Sequence, residues 1–150
     1  MIRAIEPEDH AAWRALWLQY FTFYETSVGD DVYATMWQRL FDPAEPVWAA
    51  VAVEEGRLVG LVHYIFHRTT WAVEDTCYLQ DLYVSPDQRG RGHARALIDY
   101  VAAAATRQHC VRVYWQTRDT NTTAQALYDR VASRSGFIQY RLALPRETSS

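Results

Sequence analysis

Gly90 and Gly92 stand one residue apart among Arg89, Arg91 and Arg95, just ahead of an apolar stripe that reads as a helix. Flexible backbone and positive charge at a helix start suit an anion. The first amides of a helix lack internal partners, and the dipole adds partial positive charge there. Two glycines let the backbone curl so that several N–H groups converge on one spot. A pyrophosphate suits such a site. The Walker pattern GxxxxGK[ST] is absent. The dinucleotide pattern GxGxxG fails as well, because Arg95 holds its third glycine position and the loop comes late in the chain. The pattern R-x-x-G-x-A is met by Arg89, Gly92 and Ala94. Taken alone, the loop also fits a solvated turn with a helix cap.

The elements that must position this loop follow from periodicity. IRAI (2–5) reads as a short opening strand, with Pro7, Glu8 and Asp9 favouring a helix start. Trp13, Leu16, Trp17, Tyr20, Phe21 and Tyr24 mark a one-faced helix. Tyr33, Met36, Trp37, Leu40 and Phe41 mark a second, ending near Pro43. VWAAVAVE (47–54) and RLVGLVHYIFH (57–67) flank a Glu55-Gly56 turn as a hairpin, and CYLQDLYV (77–84) adds a strand. Ala94, Leu97, Ile98, Val101, Ala102 and Ala105 form the stripe after the loop. VRVYWQT (111–117) is a further strand, expected to run parallel to 77–84 through a right-handed crossover. Ala124, Leu127, Tyr128, Val131 and Ala132 mark a last helix, with Thr120, Asn121 and Thr122 as cap candidates. GFIQYRLAL (136–144) is expected to close the sheet, and RETSS (146–150) to fray. The order βααβββαβαβ describes one α+β domain over residues 1–150.

Composition narrows the classes. The 150 residues are 49% hydrophobic and 14% aromatic, an ordinary globular balance for one domain. The net charge of -3 speaks against nucleic-acid binding, which usually needs a basic face. Cys77 and Cys110 lack the spacing of a zinc site or a disulfide framework. MIRAIEPEDH lacks the apolar run of a signal peptide, and no apolar stretch approaches a membrane span. The expectation is a cytoplasmic chain without membrane contact. His63 and His67 share a strand face, but no third ligand stands at a known spacing, so no metal is expected.

LQDLYV followed by SPDQRGRGHARALI, with YWQTRDTNTTAQALYDRVASRSGF downstream, resembles the GNAT superfamily of N-acetyltransferases, above all its small histone- and polyamine-acetylating branch. The N-x-x-A-x-x-L-Y block from Asn121 to Tyr128 adds specificity to the loop. The resemblance covers most of the chain. It implies a mixed α/β, GNAT-like fold, with a twisted sheet of six to seven strands and flanking helices. It also implies acetyl-CoA as co-substrate and, as is common among similar proteins, a homodimer.

The resemblance assigns roles as well. The backbone of Leu82, Tyr83 and Val84 would pair with the pantetheine arm, where a bulge in the family splays the parallel strands. A backbone N–H near Leu82 would polarise the thioester oxygen. Arg89, Gly90, Arg91, Gly92, His93, Ala94 and Arg95 would hold the pyrophosphate, and Asn121 would contact CoA. Tyr128 would be the acid for the departing thiolate, although it also continues a core stripe. A lysine-like amine with a pKa near 10.4 is neutral in only about one molecule in 2,500 at pH 7, which is worth about 4.6 kcal/mol. Asp81 is the candidate proton acceptor, directly or through a water. A strand salt bridge would use the same carboxylate. Related enzymes often carry a glutamate just before it; here Gln80 stands there and cannot act as a base.

The first two helices and ETSVGDD (25–31) would form the acceptor wall, with Tyr20, Phe23, Tyr24, Glu25, Asp30 and Asp31, beside Gln80 and Asp81. Aromatic faces with carboxylates suit a cationic amine, whether polyamine, lysine-like, amino acid or aminoalkyl, on a small molecule or a protein. Two other classes compete. A CoA-binding sensor without turnover would keep the loop and tolerate Gln80. A nucleic-acid binder would use RGRGHAR with stacking aromatics, against the acidic total charge.

Overall fold

A computed structural model of the chain describes residues 1–145. The expected fraying of 146–150 lies outside the described residues. Strand β1 (Ile2–Ala4) leads through a 3-10 turn (Pro7–Asp9) into helix α1 (His10–Phe23) and helix α2 (Asp30–Leu40). Strands β2 (Val47–Glu54), β3 (Arg57–His67) and β4 (Thr76–Val84) follow. Helix α3 (His93–Arg107), strand β5 (Val113–Tyr114) and helix α4 (Thr122–Val131) complete the order. The sheet runs β1-β2-β3-β4-β5, antiparallel except for the parallel β4–β5 pair. The mixed α+β fold is the expected one.

Two strand expectations are corrected. The sheet of the described residues has five strands rather than six to seven. GFIQYRLAL (136–144) forms no strand, and Phe137, Ile138, Tyr140, Leu142 and Leu144 are exposed. An apolar run makes a strand only where its backbone finds a ladder, and no strand is assigned to this segment among the described residues. The expected strand 111–117 is assigned only at Val113–Tyr114 among the described residues, where β5 meets β4 at Cys77↔Val113 and Tyr78↔Tyr114.

Residues from Met1 to Gln116 form one compact unit, and a second begins at Thr117. In the first, period-two alternation sends opposite faces of each strand to different helices. Ala49, Val51, Leu61 and Tyr83 pack with Trp13, Leu16, Trp17, Tyr33 and Leu40 of α1 and α2. The other face carries α3, whose Leu97, Ile98, Val101, Ala104 and Ala105 are buried. Gly60 on β3 makes that docking close: a Cβ there would meet Ala52 Cβ at 3.1 Å and Leu97 Cδ1 at 3.2 Å.

The start of α1 is pinned by a buried carboxylate. Asp9 accepts from Arg3 at 2.7 and 3.0 Å and from the Glu6 backbone N–H at 2.8 Å. The Arg3 hydrogen bond holds the Asp9 carboxyl below its ordinary range. This fixes the entry of the helix that carries Trp13, Trp17 and Tyr20.

Candidate active site

The β3–β4 ladder shifts register at one point. His63 pairs with Asp81 and Tyr64 pairs with Leu79, so Gln80 is an extra residue without a partner. A bulge of this kind re-aims the side chains that follow it. Leu79, opposite Tyr64, belongs to the α3 face. Two residues later an unbroken strand would return to that face. With Gln80 inserted, Asp81 instead lies opposite His63, and Tyr83 opposite Leu61, on the α1 face.

Asp81 is buried there with named partners. His63 Nδ1 lies 2.9 Å from Asp81 Oδ2. The Trp13 indole N–H donates to His63 Nε2 at 2.9 Å. An indole nitrogen only donates, so Nε2 accepts and carries no proton. The imidazole proton is therefore on Nδ1, which donates to Asp81. The contact is a hydrogen bond from a neutral ring. Trp13 is 0% exposed and His63 1%, so the pair is shielded from solvent. Tyr20 of α1 also meets this carboxylate: burial first, then the negative charge and a hydrogen bond of Asp81, push its phenol well above its ordinary pKa. Asp81 is thus oriented from two elements, β3 and α1.

Gln80 and Asp81 open onto a cavity of about 240 Å³ whose other walls are Trp17, Phe21, Val32, Met36, Val47, His63 and Ile65. The other expected acceptor residues do not line it, although Tyr20 meets Asp81. Tyr24 caps the end of α1 and packs on Tyr20 with ring centroids 4.8 Å apart. Glu25 follows it in an exposed turn with φ 55°. Asp30 is exposed and bonded to Arg14 at 2.7 Å. Phe23 is exposed beside the Arg89 guanidinium. His67, four residues beyond His63, turns to Tyr114 Oη at 2.7 Å and the Arg68 carbonyl at 2.8 Å.

The strand edge and the loop continue from the bulge. Leu82, Tyr83 and Val84 pair with β3 on one edge. On the other, β5 has stopped at Tyr78, so among the described residues this edge has no strand partner beside them. After a 3-10 turn (Pro86–Gln88) the chain reaches Gly90 (φ 78°) and Gly92 (φ 81°). A Cβ built on either would point into open space. Gly92 caps α3 without a side-chain bond, and the first helical bond is Ala96 N–H to Gly92 O. The amides before Ala96 are left to other acceptors. Arg91 and Arg95 are exposed and make no ion pair among the described residues. Arg89 is turned back: Nε donates to Val84 O at 3.1 Å, and its guanidinium lies over Tyr83 at 5.6 Å. The His93 ring is buried against Glu54 Oε1 at 3.3 Å, so only its backbone belongs to the loop. Ala94 is half-buried in the first turn of α3.

In the second unit, Asn121 caps α4 by accepting from the Ala124 N–H at 3.2 Å. Tyr128 lies on α4, half-buried, seven residues along.

A model of the acetyltransferase (GNAT) family matches residues 10–132. The chain belongs to the GNAT family. The D-amino-acid N-acetyltransferase HPA3 of Saccharomyces cerevisiae is 38% identical over 143 residues, which cover 94% of this chain and 89% of that one. The thialysine N-epsilon-acetyltransferase of Caenorhabditis elegans is 37% identical over 78 residues, 52% of this chain and 47% of that one. A solved structure described as a probable acetyltransferase aligns with a TM-score of 0.84 at 22% identity, over 98% of this chain and 99% of its own; that likeness concerns the fold. The protein is a GNAT N-acetyltransferase.

Sequence reasoning missed three members of the Asp81 cluster: His63, Trp13 and Tyr20 in their roles as its supports. The sequence shows Trp13 as core spacing, Tyr20 as core spacing and a member of the acceptor wall, and His63 as half of a metal pair. The available signal was His63 in the middle of the apolar run RLVGLVHYIFH, where a buried polar ring needs a partner. Among the described residues no group of three or more His, Cys, Asp or Glu side chains is placed to hold a metal ion. No helix among them is long and apolar enough to cross a membrane.

Proposed function

We propose that the chain acetylates a small primary amine with acetyl-CoA, by direct attack while both substrates are bound. The observation that supports this is the combination at β4: an edge from Leu82 to Val84 with no strand partner among the described residues, and a bulge that turns Asp81 into a cavity. The glycine loop fits a pyrophosphate, since both left-handed glycines leave room where a side chain would stand.

Acetyl-CoA supplies an activated acetyl thioester when bound. The loop amides of residues 89–95, with Arg91 and Arg95, bind its pyrophosphate, and the backbone of Leu82, Tyr83 and Val84 aligns the pantetheine arm. An N–H near Leu82 polarises the carbonyl oxygen. Asp81 accepts the ammonium proton, directly or through a water, so that the nitrogen lone pair can form the new C–N bond. His63 is a positioning residue that fixes the Asp81 carboxylate, and Tyr20 does the same from α1. Tyr128 protonates the leaving thiolate; this role, like a CoA contact for Asn121, rests on the N-x-x-A-x-x-L-Y resemblance.

A small amine is favoured over a protein amine because the relative sharing most of the chain is named for amino-acid substrates. A homodimer is proposed on the exposed apolar residues between Phe137 and Leu144. A cytoplasmic setting is proposed on Cys77 and Cys110, which are not joined to each other. Thiol release from acetyl-CoA with an amine panel, comparing wild type with Asp81→Asn and Tyr128→Phe, tests the chemistry. Loss of turnover in both variants with acetyl-CoA binding retained supports it, and wild-type rates in either variant remove that residue from the mechanism.

A further inference from the structure

We infer that the amine taken by this chain carries an apolar arm, uncharged over the part seated in the cavity between α1, α2 and the sheet; a group on the carbon that bears the amine stays outside that cavity. The inference rests on the acetyl-transfer reading and adds the substrate class.

The argument is one of charge and surface. The wall opposite the bulge is Trp17, Phe21, Val32, Met36, Val47 and Ile65. The ionisable residues lining the cavity are Asp81 and His63. Both nitrogens of His63 are committed, Nδ1 to Asp81 and Nε2 to Trp13, so the ring offers nothing to a ligand. Among the described residues, Asp81 therefore supplies the only charge in the lining, enough for one ammonium. A second ammonium, as in a diamine or polyamine, would enter an apolar wall with no carboxylate to meet it. A carboxylate on the arm would find no cation. Either would be buried unpaired, which is strongly disfavoured.

The acids and bases just outside do not change this. Arg14 sits over the Tyr33 ring at 4.0 Å and holds Asp30. Glu25 and Asp31 are exposed, and neither they nor Asp30 line the cavity. The volume, about 240 Å³, suits one ring or branched chain rather than a whole drug-sized ligand. An aromatic arm also gains from facing Trp17 and Phe21, whose rings meet at 5.0 Å.

The test separates binding from turnover. Calorimetry in the presence of CoA, which cannot acetylate, compares 2-phenylethylamine with putrescine. The expected result is at least tenfold tighter binding of 2-phenylethylamine. Met36→Glu, with Val32→Glu as a second variant should the first fail to show a wild-type-like thermal transition, is expected to abolish or reverse that preference. Equal or tighter binding of putrescine overturns the inference. So does binding of neither amine, or a preference unchanged by a folded variant. Thiol release with acetyl-CoA and 2-phenylethylamine reads the other claim. Preferential binding without release leaves the apolar cavity standing and removes the acetyl-transfer reading. Faster release with putrescine does the reverse.

Discussion

His63 Nδ1 stands 2.9 Å from Asp81 Oδ2 across the β3–β4 ladder, at the point where that ladder shifts register. One extra residue, Gln80, creates this meeting. The Trp13 N–H behind the ring then sets which nitrogen faces the carboxylate.

Replacing His63 separates support from chemistry. His63→Leu leaves the buried Trp13 N–H and Asp81 without their partner, and is expected to cost about 2–4 kcal/mol in urea unfolding. It is also expected to lower kcat about tenfold, while KM for acetyl-CoA stays within about twofold. His63→Asn, which can still donate, should recover part of kcat. A purely structural role would show the stability loss with kcat unchanged in the folded fraction.

The loop arginines should not be equivalent. Arg89 is engaged with Val84 O and the Tyr83 ring, whereas Arg91 and Arg95 are exposed. Arg91→Ala and Arg95→Ala are expected to weaken acetyl-CoA binding by about tenfold each, roughly 1.4 kcal/mol, and more at low salt than at high salt. Arg89→Ala should cost less in affinity and more in stability. Gly92→Trp, which fills the open side of the loop, should weaken binding at least ~100-fold. Titration calorimetry reads all four.

Asp9 makes stability depend on pH. Its carboxyl is lowered from the ordinary 3.8, chiefly by the Arg3 hydrogen bond, so the folded state releases that proton more readily than the unfolded chain. The contribution is present above the unfolded pKa and is lost as pH falls through the folded one. Asp9→Asn is expected to lose about 2 kcal/mol at pH 7, and the gap to wild type should narrow as pH falls below the ordinary carboxylate range and through the lowered folded-state value. Urea midpoints across that range check it.

Thiol reagents should distinguish the two cysteines. Cys77 is 0% exposed, and burial pushes its thiol up to about 12. Cys110 is also raised by burial but is half-buried. In the folded protein Cys110 should react first and Cys77 only on unfolding, with rates rising with pH. Mass spectrometry of labelled peptides reads the order. Early labelling of Cys77 would contradict the packing of β4 against α3.

Much of the fold was legible because it is local. The hairpin strands 47–54 and 57–67 follow from alternation and the Glu55-Gly56 turn, and they stand where expected. The stripe after Gly92 became α3 because its spacing matches one buried face. The Asp81 cluster was only half legible. Asp81 and His63 are 18 residues apart, and nothing in the alternation of CYLQDLYV reveals that Gln80 is unpaired. A bulge depends on which partner strand is chosen, a non-local event. GFIQYRLAL reads as a strand from its apolar character, but strand pairing is a non-local choice, and no strand is assigned there among the described residues. Of the residues expected to bind the acceptor, Gln80 and Asp81 line the cavity, whereas Tyr24 and Glu25 do not. Met36, which also lines it, reads in the sequence as one member of a helical stripe.

The most direct measurement is the thiol-release rate of wild type and Asp81→Asn with 2-phenylethylamine at pH 7, alongside acetyl-CoA affinity for both. The account predicts that kcat/KM for the amine falls at least ~100-fold in the variant, while acetyl-CoA affinity stays within about twofold. An Asp81→Asn enzyme that keeps wild-type kcat/KM would contradict the assignment of Asp81 as proton acceptor.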